Sequence, residues 1–422
     1  MRDGGRISAA IAVLEDMDSR HRPSRLALKA WGDASRFAGA KDRAFVSGLV
    51  LDVLRRRRSL AWRMGDETDR ARTLAALVFV WDWPLARIDA ALAEPHAPGG
   101  LTAAERASLS APLSFADAPP AVQGDVADWM APSLARIYGD GFVPEVQALA
   151  ARAPVDLRVN TLRTDAAHVI QAIETFAPEP AGVLPDALRL APPAAAERAA
   201  PVEATPAFEK GWFEVQDLGS QIAAAEAGDI KGAQVLDFCA GGGGKTLALA
   251  AAMANTGQLY AYDADARRLK ETVVRSQRAD VRNLQIRSPT EKEPLRGLAG
   301  AMDLVFVDAP CTGSGTWRRH PDTKWRLSER QLQQRMADQD KVLDAAAPFV
   351  KLGGRLIYVT CSLFAEENED RVEAFLGRNP DFAKTPLSGP AAAFATEAGF
   401  ARLTPLSAGT DGFFVAALVR HG

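Results

Sequence analysis

Strands and helices alternate from Trp212 to the end of the chain, which predicts an α/β protein built on a doubly wound, mostly parallel sheet. Two apolar runs support this class. Residues 304–307 are unbroken Leu-Val-Phe-Val, as in a strand covered on both faces, and residues 355–360 form a second such strand; each runs directly into a loop carrying a cysteine. Three domains are expected: an all-helical region over 1–135, a small α/β module over 136–205, and the sheet-based core over 206–422.

Composition sets the outer limits. A chain of 422 residues has room for two or three cores. Charged residues make up 24%, and no apolar run approaches the ~18–20 residues of a membrane span, so no membrane partner is expected. The start, Met1-Arg-Asp-Gly-Gly-Arg6, leads into an amphipathic pattern instead of the apolar segment of a secretory signal. A net charge of −3 excludes a uniformly basic nucleic-acid binder but allows a basic face. The three cysteines, Cys239, Cys311 and Cys361, form no Cys-x-x-Cys pair, which argues against a disulfide framework and against a metal site. Each ends an apolar run, so reduced thiols in a cytoplasmic protein are expected, with buried packing cysteines as the alternative.

The elements follow in order. Ile7, Ile11 and Leu14, then Phe45, Leu49 and Val53, sit at helical spacing. Arg55, Arg56, Arg57 and Arg58 follow Lys41 and Arg43 on one helical stretch, either as a solvated face or as a phosphate-contacting patch. Trp81-Asp82-Trp83-Pro84 is expected to end a helix at the proline with its aromatics in the core. Residues 94–120, rich in Pro, Ala, Gly and Ser, read as a loop or linker. A short helix near 129–138, a strand over 155–160, a helix over 165–176 and a strand over 184–190 make the small module, and 191–201 is a second linker.

The core opens with a strand at 235–238, which Cys239-Ala240-Gly241-Gly242-Gly243-Gly244-Lys245-Thr246 turns into a helix. Consecutive glycines permit positive φ and close approach of backbone to a ligand. A P-loop needs glycine where Cys239 stands, and a dinucleotide fingerprint begun at Gly241 needs glycine where Thr246 stands. ATP and NAD are therefore disfavoured. A nucleoside cofactor remains, its ribose held by an acid at the next strand end, and Asp263 follows the strand over 258–262. S-adenosylmethionine fits this layout, with helix capping as the competing role for Asp263. A third strand, 284–287, ends in Ser288-Pro289-Thr290.

The two long apolar strands then lead into Asp308-Ala-Pro-Cys311 and Cys361. As neighbours their axes would lie ~4.8 Å apart, bringing both thiols to one pocket. Between them, Thr316-Trp317-Arg318-Arg319-His320-Pro321-Asp322-Thr323-Lys324-Trp325 interleaves cations and aromatics in a way that suits stacking on RNA bases. Ser328-Glu-Arg-Gln331 has capping-box spacing and opens a helix, and residues 411–418 are expected to complete the sheet.

Taken together, Gly211-Trp212, Gln216-Asp217, Leu236-Asp-Phe-Cys-Ala240, Gly243-Gly-Lys-Thr246, Asp308-Ala-Pro-Cys-Thr312, Arg318-Arg-His-Pro-Asp322, Lys324-Trp325, Thr360-Cys-Ser362, Glu366-Glu-Asn368 and Asp411-Gly-Phe-Phe414 resemble, in family order, the motifs of the Nop/Sun family of RNA cytosine-5 methyltransferases. Arg158-Val-Asn160 is similar to the family's substrate-guiding module, and residues 7–80 are loosely similar to its NusB-like helical RNA-binding domain. The resemblance implies a Rossmann-like class I methyltransferase core that binds S-adenosylmethionine through Cys239, Ala240, Gly241, Gly242, Gly243, Gly244, Lys245, Asp263 and Asp308. It implies action on RNA, ribosomal RNA above all, with Arg158, Asn160, Arg318, Arg319, His320 and Lys324 contacting it; a monomer is expected, though the sequence itself does not give the oligomeric state. Carbon 5 of cytosine is a poor nucleophile until a thiolate adds to carbon 6. Chemistry alone does not choose between the two thiols; the resemblance makes Cys361 the attacker and Cys311 the aid to product release, with Asp308 and Lys245 beside the base. Gly242 stands where the family usually has proline, and Ser288-Pro289 where it tends to place an acid near adenine. The alternatives are a non-catalytic RNA-binding assembly factor and the same chemistry on transfer RNA.

Overall fold

The computed structural model describes residues 1–422, which divide into two units. The first takes Met1–Ala153, Pro192–Ala199 and Thr316–Leu327; the second takes Pro154–Ala191, Ala200–Gly315 and Ser328–Gly422.

The first unit is helical. Ile7, Ile11 and Leu14 of the helix Asp3–Arg20 pack in one core with Phe45, Leu49 and Val53 of the helix Ala40–Arg55, as their spacing predicts. Three details differ from expectation. The helix Asp69–Phe79 stops before the tryptophans, and Pro84 is the residue that opens the next helix, Leu85–Leu92, where its fixed φ and missing N–H do no harm. The linker expected over 94–120 contains a helix, Ala103–Ser110, started by a capping box in which the Thr102 hydroxyl and the Glu105 carboxylate each accept the other's backbone N–H. Three of the four arginines in the run at 55–58 are held in ion pairs instead of forming a freely solvated face. Arg55 pairs with Asp52 at 2.8 Å, Arg58 with Asp128 at 2.6 Å, and Arg57 with Asp18.

The second unit holds two sheets. Strands β1 (Val155–Val159), β2 (Glu179–Pro180), β3 (Ala187–Leu190) and β4 (Phe213–Val215) form an antiparallel sheet in the order β2-β3-β1-β4. Strands β5 (Gln234–Asp237), β6 (Gln258–Tyr262), β7 (Leu284–Arg287), β8 (Met302–Asp308), β9 (Val350–Thr360), β10 (Phe382–Lys384), β11 (Ala401–Leu403) and β12 (Phe413–Arg420) form the core sheet. Its order is β10-β12-β9-β8-β5-β6-β7, with β11 also paired to β12; the run from β9 to β7 is parallel and β12 is antiparallel to β9. The doubly wound sheet is thus as expected. Leu304, Val305, Phe306 and Val307 of β8 are all buried, which explains why that strand reads as a continuous apolar run instead of an alternating one.

Candidate active site

Strand order changes direction between β5 and β8, and the crevice outside the carboxyl ends at such a point is where doubly wound sheets take ligands. The expected residues gather there. The parallel register sets Asp308 opposite Val359, and the Ala309 amide donates to the Val359 carbonyl at 2.9 Å. Beyond that last rung the loops separate from the ladder, yet the sulfurs of Cys311 and Cys361 lie 3.4 Å apart. The hydrogen bond to Cys361, then burial and the Cys361 and Glu367 charges, push the Cys311 thiol well above its ordinary value, with the Gly313 amide opposing. Cys239 is also a free thiol held in its neutral form, by burial first and then by the charges of Asp237, Asp308 and Asp263.

Lys245, on the first turn of the helix Gly244–Ala252, donates from Nζ to Asp308 Oδ2 at 2.7 Å and lies 5.2 Å from the Phe413 ring centroid. Burial alone would lower its pKa, but the Asp308 charge and hydrogen bond outweigh burial and raise it, which keeps Lys245 in its ammonium form.

The glycine turn is shaped by its neighbours. Gly241 and Gly243 have φ of 54° and 86°, and a Cβ on either would meet Arg268 at 2.5 Å or Thr272 at 2.9 Å. The Thr272 hydroxyl donates to the Gly241 carbonyl at 2.9 Å and Arg275 Nη1 to the Gly242 carbonyl at 2.7 Å, so the helix Ala266–Arg278 braces the turn. The Gly241 amide does not point to a free ligand site as the sequence suggests; it donates to Asp263 Oδ2 at 2.8 Å, while Asp263 Oδ1 accepts from the Asp265 amide at 2.8 Å. Oδ2 also accepts from Arg268 Nη1 at 3.4 Å, so Oδ1 is the oxygen that keeps a lone pair for a hydroxyl.

Asp237 is a residue that sequence reasoning passed over. Fully buried, it accepts from the Thr246 hydroxyl at 2.6 Å through Oδ2, while Oδ1 has no partner. Burial pushes its carboxyl up to about 7, the Thr246 bond and Lys245 pulling down, Asp308 and Asp263 pushing further up. Three carboxylates, Asp237, Asp263 and Asp308, therefore line these strand ends, and an orphaned acceptor among them suits a cationic ligand. S-adenosylmethionine, with its sulfonium and ammonium groups, matches that charge.

The residues expected to contact RNA are placed differently. Arg158 and Asn160 are buried: Arg158 Nε donates to Gln216 Oε1 at 2.8 Å, and Asn160 Nδ2 donates to the carbonyls of Gly211 and Ala279, each at 2.8 Å. Arg318 and Lys324 are buried too. The Arg318 carbonyl accepts two bonds from Arg55, and Lys324 Nζ donates to the Arg55 carbonyl at 3.1 Å, so these two belong to the packing of the helical unit. Arg319 is half-buried and His320 exposed. Desolvating a cation is costly unless internal acceptors replace water; Gln216 Oε1 does so for Arg158 and the Arg55 carbonyl for Lys324.

Several residues around the thiols had no assigned role in the sequence. Glu367 is fully buried and accepts from the Thr312 amide at 2.8 Å, from the Thr312 and Ser362 hydroxyls, and from Gln339 Nε2 at 2.9 Å. Its motif, Glu366-Glu-Asn368, was visible; its connection to both cysteine loops was not. No group of three or more His, Cys, Asp or Glu side chains is arranged to hold a metal.

The chain is similar in sequence and fold to known proteins. A family profile described as 16S rRNA methyltransferase RsmB/F matches residues 228–419. Ribosomal RNA small subunit methyltransferase B of Citrobacter koseri is 31% identical over 404 residues, covering 90% of this chain and 91% of that one. A methyltransferase homologue from Pyrococcus horikoshii superposes with a TM-score of 0.60 at 27% identity, covering 72% of this chain and 98% of that one. NSun6 from Pyrococcus horikoshii, solved with SFG, has the same fold at a TM-score of 0.59 and 21% identity, covering 69% of this chain and 98% of that one. With a relative 31% identical along nine-tenths of both chains, this chain belongs to the RsmB/F methyltransferase family.

Proposed function

We propose that this protein methylates carbon 5 of a cytidine in RNA, 16S ribosomal RNA in particular, through a covalent adduct on Cys361. S-adenosylmethionine, when bound, supplies an electrophilic methyl group. The observation that carries the reading is the 3.4 Å approach of two thiols from separate strand ends, beside a carboxylate and an ammonium. Membership of a family described as 16S rRNA methyltransferases, and a relative named for the small-subunit ribosomal RNA, support the choice of substrate.

The chain's own groups divide the work. Cys361 adds as thiolate to carbon 6 of the base, which makes carbon 5 an enamine carbon able to attack an electrophile. Cys311, whose thiol is pushed toward its protonated form, lies 3.4 Å from the Cys361 sulfur, within reach of a shared hydrogen bond. Asp308 accepts from the exocyclic amine of the base and stabilises the charge that develops there, with Lys245 fixing its orientation. Release breaks the carbon 5–hydrogen bond, the proton passing to solvent and the electron pair re-forming the double bond between carbons 5 and 6 as Cys361 leaves as thiolate; Cys311 lies 3.4 Å from that departing sulfur. The target base must leave any stack before a thiol can reach its carbon 6.

The test is a pair of substitutions. Cys361→Ala is expected to abolish methyl transfer, whereas Cys311→Ala is expected to leave a covalent enzyme–RNA adduct on a denaturing gel. Equal activity in the two variants overturns the assignment. Bisulfite mapping of 16S RNA from cells with and without the protein identifies the nucleotide, and no difference would remove ribosomal RNA as the substrate.

A further inference from the structure

The strand register cannot by itself set the distance between the two thiols. The last paired residues are Asp308 and Val359, and each cysteine lies beyond them in a loop. Glu367 reaches both loops. One carboxylate oxygen accepts from the Thr312 amide at 2.8 Å and from Gln339 Nε2 at 2.9 Å; the other accepts from the hydroxyls of Thr312 and Ser362. Thr312 follows Cys311 in the chain and Ser362 follows Cys361.

The surroundings reinforce this link. Gln339 Nε2 also donates to the Pro310 carbonyl at 2.9 Å, so Cys311 is held through the residues on either side of it. Asn368 accepts from the Thr360 hydroxyl and donates to the Ser362 carbonyl at 2.9 Å, flanking Cys361 in the same manner. The Tyr358 hydroxyl donates to the backbone carbonyl of Glu367 at 2.7 Å, which fixes the carboxylate's own anchor. Ser314 Oγ lies 3.2 Å from Ser362 Oγ, and the Gly315 amide donates to the Cys361 carbonyl at 2.9 Å, adding lateral ties between the loops. Burial lifts the Glu367 carboxyl above its ordinary value while the Ser362, Thr312 and Gln339 hydrogen bonds pull it down. A carboxyl group in so dry a place is costly unless every lone pair is used, and four donors converge on this one.

We propose that Glu367 is a positioning residue: by holding Thr312 and Ser362 on a single carboxylate it sets the separation of Cys311 and Cys361. Its catalytic consequence rests on the covalent reading above; the spacing itself does not.

The experiment uses the full chain and a dithiol probe, phenylarsine oxide. The arsenic forms one bond to each of two thiols, its oxygen leaves as water with the two thiol protons, and no electrons are exchanged. Tight capture therefore requires two thiols within reach of one atom, and depends on the effective concentration of the second. The wild type is expected to capture the probe, and a Cys311→Ala/Cys361→Ala double variant, which keeps Cys239, serves as the blank. Glu367→Ala is expected to bind the probe at least about tenfold more weakly while both thiols still react with iodoacetamide. Glu367→Gln is expected to restore capture. Its amide oxygen takes the bonds from the Thr312 amide and Gln339, and its NH2 faces two hydroxyls that can turn to accept. In methyl transfer, Glu367→Ala is expected to lose about 10²-fold in kcat, as for a small misplacement of reacting groups, with the KM for S-adenosylmethionine unchanged. Should Glu367→Ala fail to fold, Thr312→Val and Ser362→Ala each remove one tie and are expected to weaken capture separately. Wild-type capture in a folded Glu367→Ala variant, or in both single-tie variants, overturns the proposal, as does a Glu367→Gln variant no better than Ala. Capture needs no RNA. If Cys361→Ala kept methyl-transfer activity while Glu367→Ala lost capture, the spacing role would stand and the covalent reading alone would fall.

Discussion

Asp237 carries two opposing demands. Its carboxylate is fully buried with one oxygen lacking a partner, and its pKa is pushed up to about 7, first by burial. Because the folded chain holds this proton to higher pH than the unfolded chain does, the associated stability is present in acid and is lost as pH rises from about 4 to about 7. Asp237→Asn is therefore expected to stabilise the protein, on the order of 1–3 kcal/mol at pH 8 and less at pH 5, while weakening S-adenosylmethionine binding. Urea midpoints at the two pH values check this, and an equal gain at both would show that the carboxyl does not titrate in that window. Asp263 makes a complementary case. Its oxygens hold the Gly241 and Asp265 amides, and loss of charged hydrogen bonds to a ribose would cost about 10- to 100-fold in affinity. Asp263→Ala is expected to show that loss for S-adenosylmethionine with RNA affinity nearly unchanged; an unaltered cofactor titration argues against the role.

At the scale of elements, local signals predict well where they are self-contained. The apolar runs of β8 and β9 and the turn after β5 were readable because a strand covered on both faces leaves no polar alternation, and because glycine has few substitutes at positive φ. The helix Ala103–Ser110 was hidden by composition, since its start depends on two residues, Thr102 and Glu105, inside an otherwise loop-like stretch. Glu105 also pairs with Arg70 at 2.6 Å, tying that helix to the rest of its unit. Thr102→Ala is expected to destabilise the helical unit by about 1 kcal/mol through loss of the cap, measurable as a lower denaturation midpoint. No change would mean that the Arg70 contact alone holds the helix start.

For the whole molecule, the segment Thr316–Leu327 is the instructive case. It follows the Cys311 loop in sequence but is assigned to the helical unit. Ser24 donates to Asp322 at 2.9 Å, the Arg55 guanidinium to the Arg318 carbonyl at 2.7 Å, and Trp325 Nε1 to the Leu54 carbonyl at 2.6 Å. Its cations read as an RNA-facing loop for the same reason that the arginines at 55–58 read as a patch: charge is visible in sequence and its distant partner is not. Arg55→Ala removes a buried guanidinium and leaves Asp52 with fewer donors, a loss on the order of 3 kcal/mol. The expected readout is faster amide exchange over Thr316–Leu327 and the helix Ala40–Arg55, with β8 and β9 still protected. Uniform acceleration across both units would contradict that assignment.

The linear order of residues was enough to define the doubly wound core, the glycine turn, the acid after β6 and the two thiols at strand ends, since each depends on a short run whose chemistry is complete in itself. Tertiary structure alone decided the sulfur separation, the pairing of Lys245 with Asp308, the burial of Arg158, Asn160, Arg318 and Lys324, and the hold of Glu367 on both loops. Those are properties of groups far apart in the chain, and whether a charge meets water or an internal acceptor is settled only when the chain has closed around it.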